Sequence, residues 1–281
     1  MKKYINFIKF EHSIFALPFA FSGALLVKDK GLPEALTILW IVLAMVGGRS
    51  FAMAINRILD KEIDSENPRT KNREIPSGEI TNNQAIVFSI ISLITFIYAA
   101  LQLPRICLYL LPIAVIWFFI YPLTKKFTYL AHLWLGIALG GSVLGGFIAC
   151  WGEVSSPLPY ILGSAVAFWV AGFDIIYACQ DYDFDKKNNL KSIPSVFGIK
   201  KALLISKVFH TFTFLLLVFL GLSISASFIY YLGVVFVSAM LAYEQTLVKE
   251  NDLSKVDLAF FTLNGWVSVG FLVFLIIEKM V

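Results

Sequence analysis

The chain has 281 residues, 58% of them apolar, a mean hydropathy of +0.78 and a formal net charge of +4. Only 15% of the residues are charged and the apolar residues fall in long runs. That pattern excludes an ordinary soluble domain, gives no sign of a nucleic-acid-binding module and indicates an integral membrane protein.

A membrane helix needs about 20 apolar residues. Nine spans are predicted: Ser13–Val27, Ala35–Leu59, Ala85–Leu103, Ile106–Tyr121, Leu130–Trp151, Leu158–Asp181, Ala202–Leu222, Ala226–Thr246 and Leu258–Ile277. The first follows a lysine-bearing start without a small-residue cleavage site, so it reads as a retained helix. The whole chain, 1–281, reads as one all-α transmembrane domain.

Lysines and arginines collect on one side: Lys2, Lys3 and Lys9, the loop with Lys61, Arg69, Lys71 and Arg73, then Lys125, Lys126, Lys186, Lys187, Lys191, Lys200, Lys201, Lys249 and Lys255. The other side receives Lys28, Lys30, Arg105 and Lys279. By the positive-inside rule the protein is a multi-pass component of the cytoplasmic (inner) membrane with its amino terminus cytoplasmic. An odd number of spans puts the carboxyl terminus outside. The three cysteines, Cys107, Cys150 and Cys179, lie in apolar surroundings, and His12, His132 and His210 are scattered without metal spacing.

Two acidic stripes end the second and sixth spans, both on the cytoplasmic side. Residues four apart on a helix lie about one turn, roughly 6 Å, apart on nearly one face. Asn56, Asp60 and Asp64 therefore form one stripe, and Asp181 and Asp185 another, with Asp174 two turns upstream. Each stripe is followed by basic residues and then by Ile-Pro-Ser, at 75–77 and 193–195, a weak internal repeat.

Neighbouring carboxylates repel unless a cation intervenes. Oxygen ligands without His or Cys suit Mg²⁺ or Mn²⁺, and Mg²⁺ commonly bridges carboxylates to a phosphate. Arg57, Lys61, Arg69, Lys71, Arg73, Lys125 and Lys191 crowd the same loops. Together they suggest a metal-bridged diphosphate whose remaining oxygens are held by Lys and Arg. Tyr121, four residues before Lys125, could face a cationic intermediate through its ring. A membrane cation transporter is the rival from another class, opposed by the basic residues beside the acids. Attachment of a prenyl group to haem would share the diphosphate chemistry. A phosphatidyl-alcohol transferase lacks its DGxxAR arrangement here.

These residues resemble the UbiA superfamily of intramembrane aromatic prenyltransferases, over nearly the whole chain. Asn56, Asp60 and Asp64, with Arg49 upstream, match its first motif. Arg69 to Arg73 and Ile75 to Gly78 match its basic loop, and Tyr121 and Lys125 its YxxxK element. Asp174, Tyr177, Asp181 and Asp185, continued by Ser192 and Phe197-Gly198, match its second aspartate motif. Residues 172–181 and 192–194, with Glu11-His12-Ser13 and Leu17 to Ala20, resemble the bacterial 4-hydroxybenzoate polyprenyltransferases and the similar enzymes of futalosine-pathway menaquinone synthesis. Lys126 stands where the hydroxybenzoate enzymes often have arginine.

The resemblance implies nine helices around a central cavity open laterally to lipid. It implies a polyprenyl diphosphate donor and a hydroxylated aromatic acid acceptor, 4-hydroxybenzoate or 1,4-dihydroxy-6-naphthoate, in ubiquinone or menaquinone synthesis. Two Mg²⁺ ions are expected, bridged by the diphosphate, one at Asp60 and Asp64 with Asn56, the other at Asp181 and Asp185. Arg69, Arg73, Lys125 and Lys191 are expected on phosphate oxygens. Asp174, Tyr177 and Arg49 are assigned to substrate binding, Arg49 to an aspartate or to the acceptor carboxylate.

Overall fold

The computed structural model describes residues 2–26 and 31–281. Val27, Lys28 and Lys30, which entered the span and charge expectations, lie outside the described residues, as do the side chains of Glu11, His12 and Ser13.

The chain is helical throughout. A short α1 (Lys2–Phe7) leads into α2 (Phe10–Ala24) and α3 (Ala35–Leu59), which is followed directly by α4 (Lys61–Glu66). Then come α5 (Asn82–Leu101), α6 (Arg105–Phe127), α7 (Ala131–Trp151) and α8 (Leu158–Ala178). A 3₁₀ turn, 179–181, joins α8 to α9 (Tyr182–Lys187), followed by α10 (Ile193–Phe197), α11 (Ile199–Ser223) and α12 (Phe228–Leu247). A π-helical turn, Leu258–Leu263, opens α13 (Asn264–Met280).

Among the described residues, eight helices are long and apolar enough to cross a membrane, not the nine expected. The one that falls short is α2. Its 15 residues rise about 22 Å, against a hydrocarbon core of about 30 Å. Lys9, at φ 47°, separates it from α1, and its helical bonding stops at Leu25. Its two ends are nevertheless fastened at opposite ends of the bundle. Tyr4 of α1 stacks on Phe88 of α5 and Lys3 donates to the Glu79 carbonyl, whereas Ala24 accepts a hydrogen bond from the Trp151 indole at the far end of α7.

The interior is organised on α8, which buries Leu162, Val166, Trp169, Val170, Phe173 and Ile176 among others. Lipid tails are as apolar as these side chains, so close packing of small residues must hold the helices together. On α7, a Cβ at Gly136 or Gly140 would overlap the carbonyls of Ala167 and Gly163 on α8, and one at Gly146 would overlap Ala20 on α2. By contrast, α5 and α6 turn exposed Ile, Leu, Phe and Tyr side chains outward, as lipid-facing helices do.

Helix α6 runs further than its expected end at Tyr121. Pro122 sits inside it without stopping it, so Tyr121 and Lys125 stand one turn apart on the same continuous helix.

Candidate active site

The two aspartate stripes close over one end of the bundle. Asp60 is the residue between α3 and α4, and its N–H still bonds Asn56 O at 2.9 Å. The Asp64 N–H bonds Asp60 O at 2.7 Å, so the ladder continues across the junction and keeps the three polar residues in register. Asp181 ends the 3₁₀ turn between α8 and α9, and Asp185 lies on α9.

Lys125 Nζ lies 2.6 Å from Asp60 Oδ2, and Asn56 Nδ2 approaches the same oxygen at 3.5 Å. Arg73 Nη1 donates to both oxygens of Asp64, at 2.7 and 2.8 Å. Arg69 forks onto Asp181, with Nε to Oδ1 at 2.9 Å and Nη2 to Oδ2 at 2.5 Å. Its Nη1 donates to the Tyr177 hydroxyl at 2.9 Å, and its guanidinium lies 5.0 Å from that ring centroid. Tyr177 is backed by Phe260, stacked at 4.1 Å.

Basic side chains expected on phosphate thus sit on the carboxylates here. The reason is electrostatic: Asp60 and Asp64 are only 3% and 4% exposed, and a buried charge without a partner is costly. Burial pushes the Asp60 carboxyl above the ordinary aspartate value, and Lys125 opposes that rise. Burial works against the charge of Arg69, but the hydrogen bond and charge of Asp181 outweigh it, and its pKa rises.

Lys191 is placed differently. Its Nζ donates to Phe127 O at 3.3 Å, away from the aspartates, while its N–H bonds Lys125 O at 2.6 Å. Tyr121 feels the charges of Asp174 and Asp60 and, in the opposite sense, of Arg49 and Arg73. Arg49 has a buried Nε that meets no hydrogen-bond partner. Asp174 pairs with His132 at 2.7 Å, and Asp185 accepts from the Ser192 hydroxyl at 2.9 Å.

Sequence reasoning missed two participants. Asn67 Nδ2 donates to Asp181 Oδ1 at 2.9 Å while its side-chain Oδ1 accepts the Arg69 N–H. The Asn-Pro step at 67–68 signals such a turn, but not its partner. His132, which no metal spacing marks in the sequence, lies 2.7 Å from Asp174. Arg57, also buried, has Nε and Nη1 without hydrogen-bond partners and Glu74 at 4.0 Å.

A divalent cation is implied by the carboxylates, and their donor chemistry fits one. Asp60 Oδ1 is buried and has no protein partner. Among the described residues no three of His, Cys, Asp or Glu form a ready-made metal cage. Mg²⁺ needs none, because it binds through one or two carboxylates and completes its shell with water and phosphate. Asp60, Asp64, Asp181, Asp185 and Asn56 offer oxygen donors, and three of the aspartates already have cations that a phosphate could take over.

Residues 16–266 match the UbiA prenyltransferase family. The chain is 29% identical over 280 residues to a 4-hydroxybenzoate octaprenyltransferase of Coxiella burnetii, covering 98% of this chain and 95% of that one. A UbiA homologue from Aeropyrum pernix, solved without ligand, superposes with a TM-score of 0.87 at 32% identity, over 96% and 98% of the two chains. A homologue from Archaeoglobus fulgidus, solved with DMAPP and Mg²⁺, shares the fold at a TM-score of 0.78 and 19% identity, over 99% of each chain.

Proposed function

The chain belongs to the UbiA prenyltransferase family, and from that membership we propose that it transfers a polyprenyl group from its diphosphate to a ring carbon of a hydroxylated aromatic acid. The acceptor is 4-hydroxybenzoate or 1,4-dihydroxy-6-naphthoate, and the product serves ubiquinone or menaquinone synthesis. The observation that carries the reading is the set of three ion pairs, Asp60–Lys125, Asp64–Arg73 and Asp181–Arg69, at one end of an intramembrane bundle. The name of the Coxiella relative supports the aromatic acceptor.

The donor's diphosphate sits at the paired aspartates, and its apolar tail lies in a central cavity that opens laterally to lipid. Asp60, Asp64 and Asn56 would hold one Mg²⁺ and Asp181 and Asp185 a second, and the ions would supply charge neutralisation for the leaving diphosphate. Arg69, Arg73 and Lys125 exchange their carboxylate partners for phosphate oxygens. Such cation clamps act where charge develops, on the departing group. The C–O bond breaks, the electron pair leaves with the diphosphate, and the allylic cation is faced by the Tyr121 ring. The electron-rich ring carbon attacks, and loss of its proton restores aromaticity. Arg49, with its buried Nε without a hydrogen-bond partner, orients an aspartate or the acceptor carboxylate. The amino terminus and the site loops lie on the cytoplasmic side, where the soluble aromatic acid is found.

The test offers the purified protein geranyl diphosphate and Mg²⁺ with each acid separately, and detects prenylated product by mass spectrometry. Product with the benzoate assigns the ubiquinone branch, and product with the naphthoate alone assigns the menaquinone branch. Mg²⁺-dependent donor binding without product from either acid would contradict the acceptor class.

A further inference from the structure

His132 ties three segments together. It lies in the first turn of α7 and is 3% exposed. Its Nδ1 is 2.7 Å from Asp174 Oδ2 on α8, and its Nε2 receives the Ile193 N–H at 3.3 Å. A backbone N–H can only donate, so Nε2 holds the lone pair and Nδ1 holds the proton. The ring is neutral and donates to Asp174.

Ile193 follows Ser192, the residue that caps α10. Ser192 donates its hydroxyl to Asp185 Oδ2, and its N–H bonds Ser195 Oγ at 2.8 Å. Lys191, just before, bonds the Lys125 carbonyl on α6. Consecutive backbone and side-chain groups of 191–193 are thus fixed to α6, α9 and α7.

The partners also sort by charge. Asp60, Asp64 and Asp181 each face a Lys or Arg. Among the described residues, Asp174 and Asp185 face neutral donors, His132 and Ser192. Asp174 and Asp185 are thus held in a fixed orientation by neutral hydrogen-bond donors rather than by a direct ion pair with Lys or Arg.

Resting on the prenyl-transfer reading above, we propose that His132 is a positioning residue for the second half of the diphosphate site. By occupying Oδ2 it fixes which oxygen of Asp174 stays available, and through the Ile193 N–H it holds Ser192 against Asp185. It does so without adding a positive charge that would compete with the metal. Groups that orient metal-side carboxylates in this way are worth about ten- to a hundredfold in affinity or activity when removed.

The test is Mg²⁺-dependent binding of geranyl diphosphate by calorimetry, with steady-state KM and kcat for the donor and a melting temperature for each protein. His132→Ala should bind the donor at least about tenfold more weakly and raise its KM more than it lowers kcat. His132→Asn, which keeps a donor near the Nδ1 position, should recover most of the affinity, and His132→Gln, which places its amide nearer Nε2, should recover less. The ranking of Asn above Gln carries the test if the Ala protein does not fold. In a double-mutant cycle, His132→Ala should add little to Asp174→Ala.

Donor binding by His132→Ala within twofold of the parent overturns the proposal. So do equal defects in the Asn and Gln proteins at parental melting temperature, or full additivity with Asp174→Ala. A parent that binds geranyl diphosphate but prenylates no aromatic acid sinks the acceptor reading, while the binding comparison still decides the role of His132.

Discussion

Asp60 and Asp181 occupy the same backbone position in the two halves of the chain. Each immediately precedes a six-residue helix, Asp60 directly after α3 and Asp181 at the end of the 3₁₀ turn after α8, with φ and ψ of −93° and 3° at Asp60 and −95° and 5° at Asp181. Each is followed four residues later by a second aspartate. The shared geometry supports the internal repeat suggested by the two Ile-Pro-Ser segments. The halves are then stitched across: Arg69 and Asn67, from the loop of the first half, both bind Asp181 of the second. The repeated geometry stops at the loops, because Ile193-Pro194-Ser195 starts α10 with a capping box whereas 75–77 remain in turns.

The Arg69 fork depends on guanidinium geometry. Arg69→Lys keeps the charge but loses the paired bonds to Asp181 and the contact with Tyr177. It should weaken Mg²⁺-dependent geranyl diphosphate binding by about tenfold, and Arg69→Ala by more, as loss of hydrogen bonds to charged groups predicts. Calorimetry on the two variants checks this. Parental affinity in Arg69→Lys would mean that charge alone suffices.

Gly146 lets α7 approach α2 closely, and any Cβ there would meet the Ala20 carbonyl. Gly146→Ala should lower stability by about 1–3 kcal/mol, the usual cost of overpacking. The readout is the melting temperature in detergent. An unchanged value would show that the two helices separate without cost.

A polar knot lies deeper in the bundle. Asn264 accepts the Trp169 indole N–H at 2.6 Å and reaches Glu244 at 3.4 Å. Both Asn264 and Glu244 are 1% exposed. Asn264→Leu leaves the indole N–H and the carboxyl without this partner and should cost about 1–3 kcal/mol. Thermal unfolding measures it, and a stabilised variant would show that the knot is not a stability element.

The loop charges predict sidedness. In a protein freed of its three cysteines, Lys71→Cys and Lys187→Cys should react with an impermeant maleimide only from the cytoplasmic face. Labelling of either from the outside would reverse the orientation. A reporter at Val281 shows separately whether α2 crosses with the eight longer helices.

Much of the scaffold is legible in the sequence. The span Ala35–Leu59 ends where expected, because the apolar run gives way abruptly to Asp60, Lys61 and Glu62. The stripes are legible because helical spacing alone brings Asn56, Asp60 and Asp64 into line. The extent of α6 was not, because Pro122 reads as a helix end, whereas the helix continues to Phe127 through it. Nor was the pairing of Arg69 with Asp181, 112 residues apart, since only the folded loop decides which carboxylate an arginine reaches. His132 was missed for the same reason. Its partners, Asp174 and Ile193, lie 42 and 61 residues away, and nothing in its own neighbourhood marks it.

The most direct measurement compares the parent with Asp60→Ala and Asp181→Ala, using the aromatic acid that the parent prenylates, geranyl diphosphate and a Mg²⁺ titration. The account predicts product from the parent only with Mg²⁺, and no detectable product from either variant, with both variants still monodisperse in detergent. Near-parental turnover by either folded variant, or Mg²⁺-independent turnover by the parent, would contradict a diphosphate site built on the paired aspartates.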